Sequence, residues 1–385
     1  MTYLIIALTA LVSYLIGSVN FSILLSKMLS GKDIRESGSG NAGATNMLRT
    51  YGKKMGVITL LLDVLKGIVV ILLSRLVKNI AGIQGTQNID IKKRCVLVMC
   101  ADNGVVCEGI TQTGQEVTAV VTENFAKGAT SVCAMARNIG ADVVPIDVGV
   151  ARDVDGVVNK KISYGTKNML HEKAMTYEQA KEAVQVGIDC VKELSEKGYK
   201  IIVTGEMGIG NTTTSSAVAS VLLDRKAEDV TGRGAGLTSG ALERKIEVIK
   251  KSIELHKPDK NNIFDVLSKV GGYDIAALTG AFIGGAMYGI AMVIDGFISS
   301  VAALCAEKLC PKCSDFMIAS HVSKESCTAD ILKILGKKAP INADMCLGEG
   351  TGGMVMLTAL DTALCVYNEM STFDDINVES YKELK

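Results

Sequence analysis

Tryptophan is absent from the 385-residue chain, and aromatic residues make up only 4% of it. Positive charge is not in excess either, since 41 lysines and arginines are balanced by 41 aspartates and glutamates. The chain therefore lacks the basic surface and the aromatic platforms that are typical of nucleic-acid-binding proteins. Glycine, by contrast, is abundant at 39 residues, which is about a tenth of the chain where ~7% is usual. We expect glycine-rich loops to carry ligand recognition.

Charged residues are too few, at 21%, and hydrophobic residues too many, at 48%, for a disordered chain. At roughly 100 to 200 residues per domain, the length predicts two or three domains. Long apolar runs stop near Lys78, where mixed polar sequence begins. We therefore predict a membrane-associated helical segment at residues 1–77 and an α/β domain at residues 78–385.

The chain contains eleven cysteines, an odd number, and their spacing is irregular. Most of them lie within apolar runs. This pattern is typical of free thiols in a reducing compartment. The alternative is a zinc site formed by Cys310 and Cys313 with His321 and Cys327, although structural zinc sites usually show two regular pairs.

Two apolar stretches precede the boundary. Residues 2–29 carry no charge before Lys27, are long enough to cross a ~30 Å hydrocarbon layer, and lack the features of a cleaved signal peptide. Residues 57–77 are interrupted by Asp63, Lys66 and Arg75, which leaves a membrane span and an interfacial helix as alternatives. The basic loop between the stretches belongs in the cytoplasm by the positive-inside rule. We therefore favour an interfacial second stretch and a cytoplasmic catalytic domain attached to the membrane.

That loop contains GSGNAGATN followed by Leu48 and Arg49, where glycine backbone next to basic side chains is typical of phosphate binding. Together with LDVLKG at residues 62–67, it resembles the membrane-bound glycerol-3-phosphate acyltransferases that use acyl-phosphate. The resemblance covers residues 1 to about 77, and no later motif of that family follows. It predicts a residual phosphate loop formed by Ser39, Asn41, Thr45, Asn46 and Arg49.

Downstream, short apolar runs alternate with helical patterns. Strands are predicted at 94–101, 141–148, 200–204, 289–294 and 315–319, and helices around 115–138, 176–197, 239–256 and 297–308. Such alternation predicts an α/β fold, a doubly wound and mostly parallel sheet with flanking helices. Ligands of such sheets bind beyond the carboxyl ends of the strands, where the polar and glycine residues lie here.

Two loops carry candidate chemistry. GEMGIGNTTT, at residues 205–214, follows a strand and precedes a helix, which is typical of an anion site at a helix N-terminus; the alternative is a plain strand-to-helix turn. LGEGTGG, at residues 347–353, places Glu349 among glycines ahead of another helix. That carboxylate is either a general base or an acid that stabilises the helix dipole, and spacing alone favours neither.

Seven segments from residue 81 to 373 resemble nicotinate-nucleotide:dimethylbenzimidazole phosphoribosyltransferases, which assemble the lower ligand of cobalamin. They are GEMGIGNTTT, GRGAGL, VGGYDIAALTGAF, IDGFISSVAAL, SHVSKES, LGEGTGG and MSTF. The resemblance implies transfer of phosphoribose from nicotinate mononucleotide to 5,6-dimethylbenzimidazole, by a homodimer that needs no cofactor and no metal. Only three histidines occur, and one carboxylate suffices because nicotinate is a good leaving group.

The same resemblance implies residue roles. Glu349 matches the catalytic base. The implied substrate-binding residues are Glu206, Gly208, Ile209, Gly210, Asn211, Lys245, Asp295 and Ser323 for the nucleotide, and Leu347, Thr111 and Gln115 for the base.

The chain departs from that family in two places. Asn103 stands where many members have a histidine, and the usual N-terminal helical segment is replaced by the acyltransferase-like stretch. Two further interpretations therefore stay open: a membrane acyltransferase that lacks motifs, and an inactive fusion of two gene fragments.

Overall fold

The computed structural model describes residues 20–369 apart from 235 and 326, and gives only the helical backbone for residues 60–74. These residues form two compact units. One consists of residues up to 78 together with those from 359 onward, and the other of residues 79–358.

The described part of the first unit before residue 79 is helical, as predicted. Helix α1 (Phe21–Ser30) begins at Asn20, whose side-chain oxygen accepts hydrogen bonds from the backbone of Ser22 and Ile23. Helix α2 (Ala44–Tyr51) follows a 3-10 turn at Ile34–Glu36, and α3 (Lys53–Gln84) contains the second apolar stretch. Most of the first apolar stretch lies outside the described residues. No helix within the described residues is both long and apolar enough to span a bilayer.

The second unit is built on a six-stranded sheet in which all neighbouring strands are parallel. In chain order its strands are β1 (Arg94–Ala101), β2 (Asp142–Gly149), β3 (Val158–Asn159), β4 (Ile201–Met207), β5 (Ala291–Ile294) and β6 (Met317–Ala319). Their order across the sheet is β3-β2-β1-β4-β5-β6. The predicted doubly wound α/β fold is confirmed.

The remaining helices flank this sheet. They are α4 (Glu116–Ala126), α5 (Ser131–Ile139), α6 (Tyr177–Glu196), α7 (Asn211–Leu223), α8 (Ala227–Val230), α9 (Ser239–His256), α10 (Ile263–Val270), α11 (Tyr273–Tyr288), α12 (Phe297–Leu309), α13 (Thr328–Ile334) and α14 (Thr351–Glu369). β1 reads as an unbroken apolar run because residues 95–101 are completely buried.

Helices α6 and α11 pack with their backbones in close contact. A Cβ atom at Gly187 would lie 1.9 Å from the carbonyl oxygen of Ala277, and one at Gly280 would lie 1.8 Å from that of Val184. Side chains at these positions would push the helices apart, so the contact needs glycine on both sides.

The structure differs from the sequence-based prediction in several elements. The predicted helix at 115–138 is two helices, because Gly128 turns the chain with φ +68° and Thr130 caps α5 by accepting from the backbone of Cys133. Strand β3 and the helices α8, α10, α11 and α13 were not predicted. β3 has only two residues, and the glycine-rich sequence of α11 resembles a ligand loop more than an amphipathic helix.

From β1 the chain adds strands β2 and β3 towards one edge of the sheet, and from β4 it adds β5 and β6 towards the other edge. The direction of winding therefore reverses between β1 and β4, which pair with each other at the centre of the sheet. Doubly wound sheets bind ligands at this point, beyond the carboxyl ends of the strands. The loops after β1 and β4 therefore mark the expected site.

Candidate active site

A cavity of about 330 Å³ lies at this end of the sheet, within the second unit. Its walls come from loops that follow β4, β5 and β6, from the segment at residues 110–113 and from the loop that contains Glu349. More of its surface is apolar than polar, as is usual for small-molecule sites.

The glycine loop after β4 leads directly into α7. Gly210 has φ +89° and immediately precedes the first helical residue, Asn211. Residues 208–212 all line the cavity, so the positive end of the α7 dipole lies at its wall. Thr118 supports the loop from outside by accepting a hydrogen bond from the backbone of Ile209 at 3.0 Å. This arrangement is suited to a phosphate group.

Two carboxylates share one amide beneath that loop. The side-chain nitrogen of Asn211 donates to Glu206 and also to Asp274, the latter at 3.1 Å. Burial, and then the neighbouring Asp274 charge, raises the pKa of Glu206 to about 8. Burial raises the pKa of Asp274 to about 7. The pair therefore holds protons near neutral pH, which reduces the negative charge that a phosphate would meet.

Glu349 lies on a loop with unusual backbone geometry. It has φ +60°, between Gly348 at +82° and Gly350 at +93°. Its carboxylate oxygen Oε2 accepts a hydrogen bond of 3.1 Å from the backbone N–H of Val132 in α5. Glu349 lines the cavity beside Leu347, which is 63% exposed.

Asp295 and His321 lie at the ends of two neighbouring strands. Asp295 follows β5, and its carboxylate accepts a hydrogen bond of 2.9 Å from the backbone of Gly353. Burial raises its pKa to about 7. His321 follows β6, with its Nδ1 atom 3.0 Å from the hydroxyl of Ser320, and burial lowers the pKa of its ring. Two titratable groups thus lie in the wall formed by the ends of β5 and β6.

Lys245 lies behind the glycine loop and outside the cavity lining. It is 1% exposed, and its Nζ donates to the hydroxyl of Thr212 at 2.9 Å and to the carbonyl of Gly232 at 3.2 Å. Burial lowers its pKa to about 8. Because Thr212 lines the cavity, the Lys245 side chain is linked to the cavity wall through that hydroxyl.

Most of the site residues predicted from the sequence meet in this cavity. Its lining includes Glu349, Glu206, Gly208, Ile209, Gly210, Asn211, Asp295, Ser323, Leu347 and Thr111. Gln115 directly precedes α4 and does not line the cavity, and Lys245 reaches it through Thr212.

Sequence reasoning did not place Arg233, Glu325 or His321 in the site, although all three line the cavity. Glu325 accepts a hydrogen bond of 2.9 Å from the backbone of Gly234. Arg233 donates to the carbonyl of Leu237 at 2.7 Å. Of the three, His321 could have been found most readily from the sequence, because it lies two residues after the predicted strand at 315–319.

Asn103 is completely buried behind the glycine loop. Its side chain donates to the carbonyl of Ile209 at 3.4 Å and accepts from the hydroxyl of Thr214 at the same distance. Asn103 therefore supports the loop.

The residual phosphate loop near the N-terminus belongs to the other unit. Asn46 is buried, and its side chain accepts from the backbone of Ser39 at 2.9 Å and donates to the carbonyls of Ile34 and Ser37. Its amide thus holds the loop together and is not available to a ligand. The other predicted residues, Ser39, Asn41, Thr45 and Arg49, are exposed.

Within the described residues, no three His, Cys, Asp or Glu side chains gather as a metal site would require. Cys313 is buried beside Glu307, whereas His321 lines the cavity. The alternative of a zinc site at Cys310, Cys313, His321 and Cys327 therefore has no support in this part of the chain.

Comparison with known proteins matches this geometry to one family. A phosphoribosyltransferase family model matches residues 72–378. The nicotinate-nucleotide–dimethylbenzimidazole phosphoribosyltransferase of Acetivibrio thermocellus is 48% identical over 312 residues, which are 80% of this chain and 89% of the relative. The chain belongs to that family of enzymes. The family predicted from the seven segments is confirmed.

Two further family members agree. The Clostridium acetobutylicum enzyme of the same name is 48% identical over 315 residues, covering 81% of this chain and 90% of the relative. The crystal structure of CobT from Thermus thermophilus superimposes with a TM-score of 0.75 at 32% identity, covering 80% of this chain and 93% of that one.

A glycerol-3-phosphate acyltransferase model matches residues 7–101. The second predicted resemblance is therefore confirmed, and the match extends beyond the predicted limit near residue 77.

Proposed function

We propose that this phosphoribosyltransferase-family chain transfers phosphoribose from nicotinate mononucleotide to 5,6-dimethylbenzimidazole, giving α-ribazole 5′-phosphate and nicotinate. The observation that carries the proposal is that one cavity joins a carboxylate, Glu349, to a glycine loop at the start of α7. The two substrates are those named for the related enzymes.

In this proposal the nucleotide phosphate binds to residues 208–211 at the positive end of the α7 dipole. Lys245 lies behind this position, 2.9 Å from the Thr212 hydroxyl. Asp295 and Ser323 also line the cavity, and in this proposal they contact the ribose. Leu347 and Thr111, which line the cavity, form walls of the benzimidazole pocket, and Gln115 is assigned to the same pocket from the family resemblance alone.

The reaction breaks the bond between the ribose C1′ and the nicotinate ring nitrogen, and forms one from C1′ to a benzimidazole nitrogen. Nicotinate leaves with the bonding pair, which neutralises its positively charged ring nitrogen. The proton of the attacking benzimidazole passes to Glu349. Holding both rings beside C1′ supplies much of the rate by orientation, and a protonated Glu206, with its pKa of about 8, limits repulsion of the phosphate.

The direct test is to incubate purified full-length protein with the two substrates and to measure both products by chromatography. We expect nicotinate and α-ribazole 5′-phosphate in equal amounts. Glu349→Gln keeps the shape of the side chain but cannot accept the proton, so its rate should fall by ~10² to 10⁴. A variant within about threefold of the parent, well short of that range, would show that Glu349 is not the base. No product from the parent under any condition would favour an inactive fusion.

We further propose that the enzyme is a homodimer acting in the cytoplasm, attached to the membrane through residues 1–77. The apolar sequence of residues 2–29 and the family resemblance support this arrangement. Light scattering in detergent and fractionation of membranes test the two parts separately.

A further inference from the structure

We propose that the backbone N–H of Val132 is a positioning group for Glu349, holding one carboxylate oxygen so that the other can take the substrate proton. This inference rests on the proposed function, in which Glu349 is the base. It assigns a catalytic purpose to the start of α5, which no sequence motif marked.

The contact joins two segments that are 217 residues apart in sequence. Val132 is the second residue of α5, and its N–H is among the first-turn donors that have no partner within a helix. Thr130 caps the same turn by accepting from the backbone of Cys133. The Glu349 carboxylate therefore takes a donor that the helix leaves free, at the end where the dipole favours negative charge.

The backbone on the other side of Glu349 is also fixed. A Cβ atom at Gly205 would lie 2.5 Å from the carbonyl oxygen of Glu349, so the loop packs directly on β4. A glutamate at φ +60° is an uncommon conformation that persists where its surroundings hold it. The flanking glycines give the loop freedom that the Gly205 and Val132 contacts remove.

Two acidic side chains, Glu206 and Asp295, interact with Glu349. When ionised, Glu206 at β4 and Asp295 after β5 repel the negative charge of Glu349. The Val132 N–H and the α5 dipole oppose this repulsion. Within the described residues, the hydrogen bond of the Glu349 side chain is made through Oε2, and Glu349 lines the cavity, so Oε1 is available to a substrate there.

The test removes the N–H and keeps the helix. Val132→Pro lacks the donor, and proline is tolerated in the first turn of a helix. Val132→Ala is the matched control, because it loses the buried side chain but keeps the N–H. Relative to Val132→Ala, we expect kcat of the proline variant to fall about tenfold or more, because misplacing a catalytic group is costly. KM for nicotinate mononucleotide should change less than twofold.

A further readout separates positioning from general damage. In the Glu349→Gln background, Val132→Pro should change the residual kcat by less than twofold. Should the proline variant not fold, replacing Val132 with α-hydroxyisovaleric acid exchanges only the N–H for an ester oxygen.

Equal kcat values for Val132→Pro and Val132→Ala would overturn the proposal. A fall of the same size in the Glu349→Gln background would also overturn it, since the effect would then be structural. If the proposed function itself is wrong, different results are expected: the parent enzyme is inactive, or Glu349→Gln has the same activity as the parent. Either result would remove the base and this proposal with it.

Discussion

Asp274→Asn should make the stability of the protein less dependent on pH. Asp274 is completely buried, and burial raises the pKa of its carboxyl to about 7 from the ordinary value of 3.8. The folded protein therefore keeps a proton that the unfolded chain releases. Stability from this group is fully present below pH 3.8 and is lost as the pH rises towards 7.

The size of the effect follows from the two values. The displacement from 3.8 to about 7 corresponds to about 4 kcal/mol, reached above pH 7. Between pH 5 and pH 8 about 3 kcal/mol of this loss should appear. Asparagine cannot ionise, so it avoids this loss. The Asp274 carboxylate accepts one hydrogen bond from Asn211 and one from the backbone of Ile275. In asparagine an NH₂ group takes the place of one of these oxygens, and the lost hydrogen bond lowers the free energy of unfolding by about 1 to 3 kcal/mol at every pH.

Calorimetry of the full-length protein from pH 5 to pH 8 measures the effect. The Tm of Asp274→Asn relative to the parent should rise by about 6 to 12 °C across this range, at roughly 2 to 4 °C per kcal/mol. Asp229→Asn, which changes an exposed carboxylate of the same unit, should show no such trend. A Tm difference that is constant with pH, or that falls, would refute the assignment of a retained proton to Asp274.

Three other outcomes are expected. Gly208→Ala should raise KM for the nucleotide by about tenfold or more, because the added Cβ would lie 2.4 Å from the carbonyl oxygen of Ala101. Gly240→Ala is the control, because a Cβ there meets no atom within 4 Å. Equal KM values for the two variants would contradict the role of the loop. A chain beginning at Lys78 should stay in the aqueous fraction while the full chain partitions with membranes, and an aqueous full-length chain would disprove membrane attachment. Membranes expressing the full chain should form no lysophosphatidate from glycerol 3-phosphate and acyl-phosphate, because two apolar stretches cannot enclose an acyl chain; product abolished by Arg49→Ala would favour the acyltransferase.

Local patterns in the sequence determined much of the fold. The run at residues 94–101 predicts β1 without error, because a strand buried on both faces needs continuous apolar residues. The glycine loop after β4 and the carboxylate at Glu349 could also be identified from the sequence, because each is recognised by its residue types and by the residues next to it. The family followed from the order of such segments along the chain.

Contacts between distant segments were decided only by the tertiary structure. Asn211 lies between Glu206 and Asp274 because α7 and α11 meet behind the same loop, and neither helix encodes that meeting by itself. His321 and Arg233 line the cavity for the same kind of reason. The N–H of Val132 meets Glu349 across 217 residues, and a backbone N–H looks alike at every position of a sequence. Which donor meets which carboxylate depends on strand order and helix packing, and these exist only once the chain has folded.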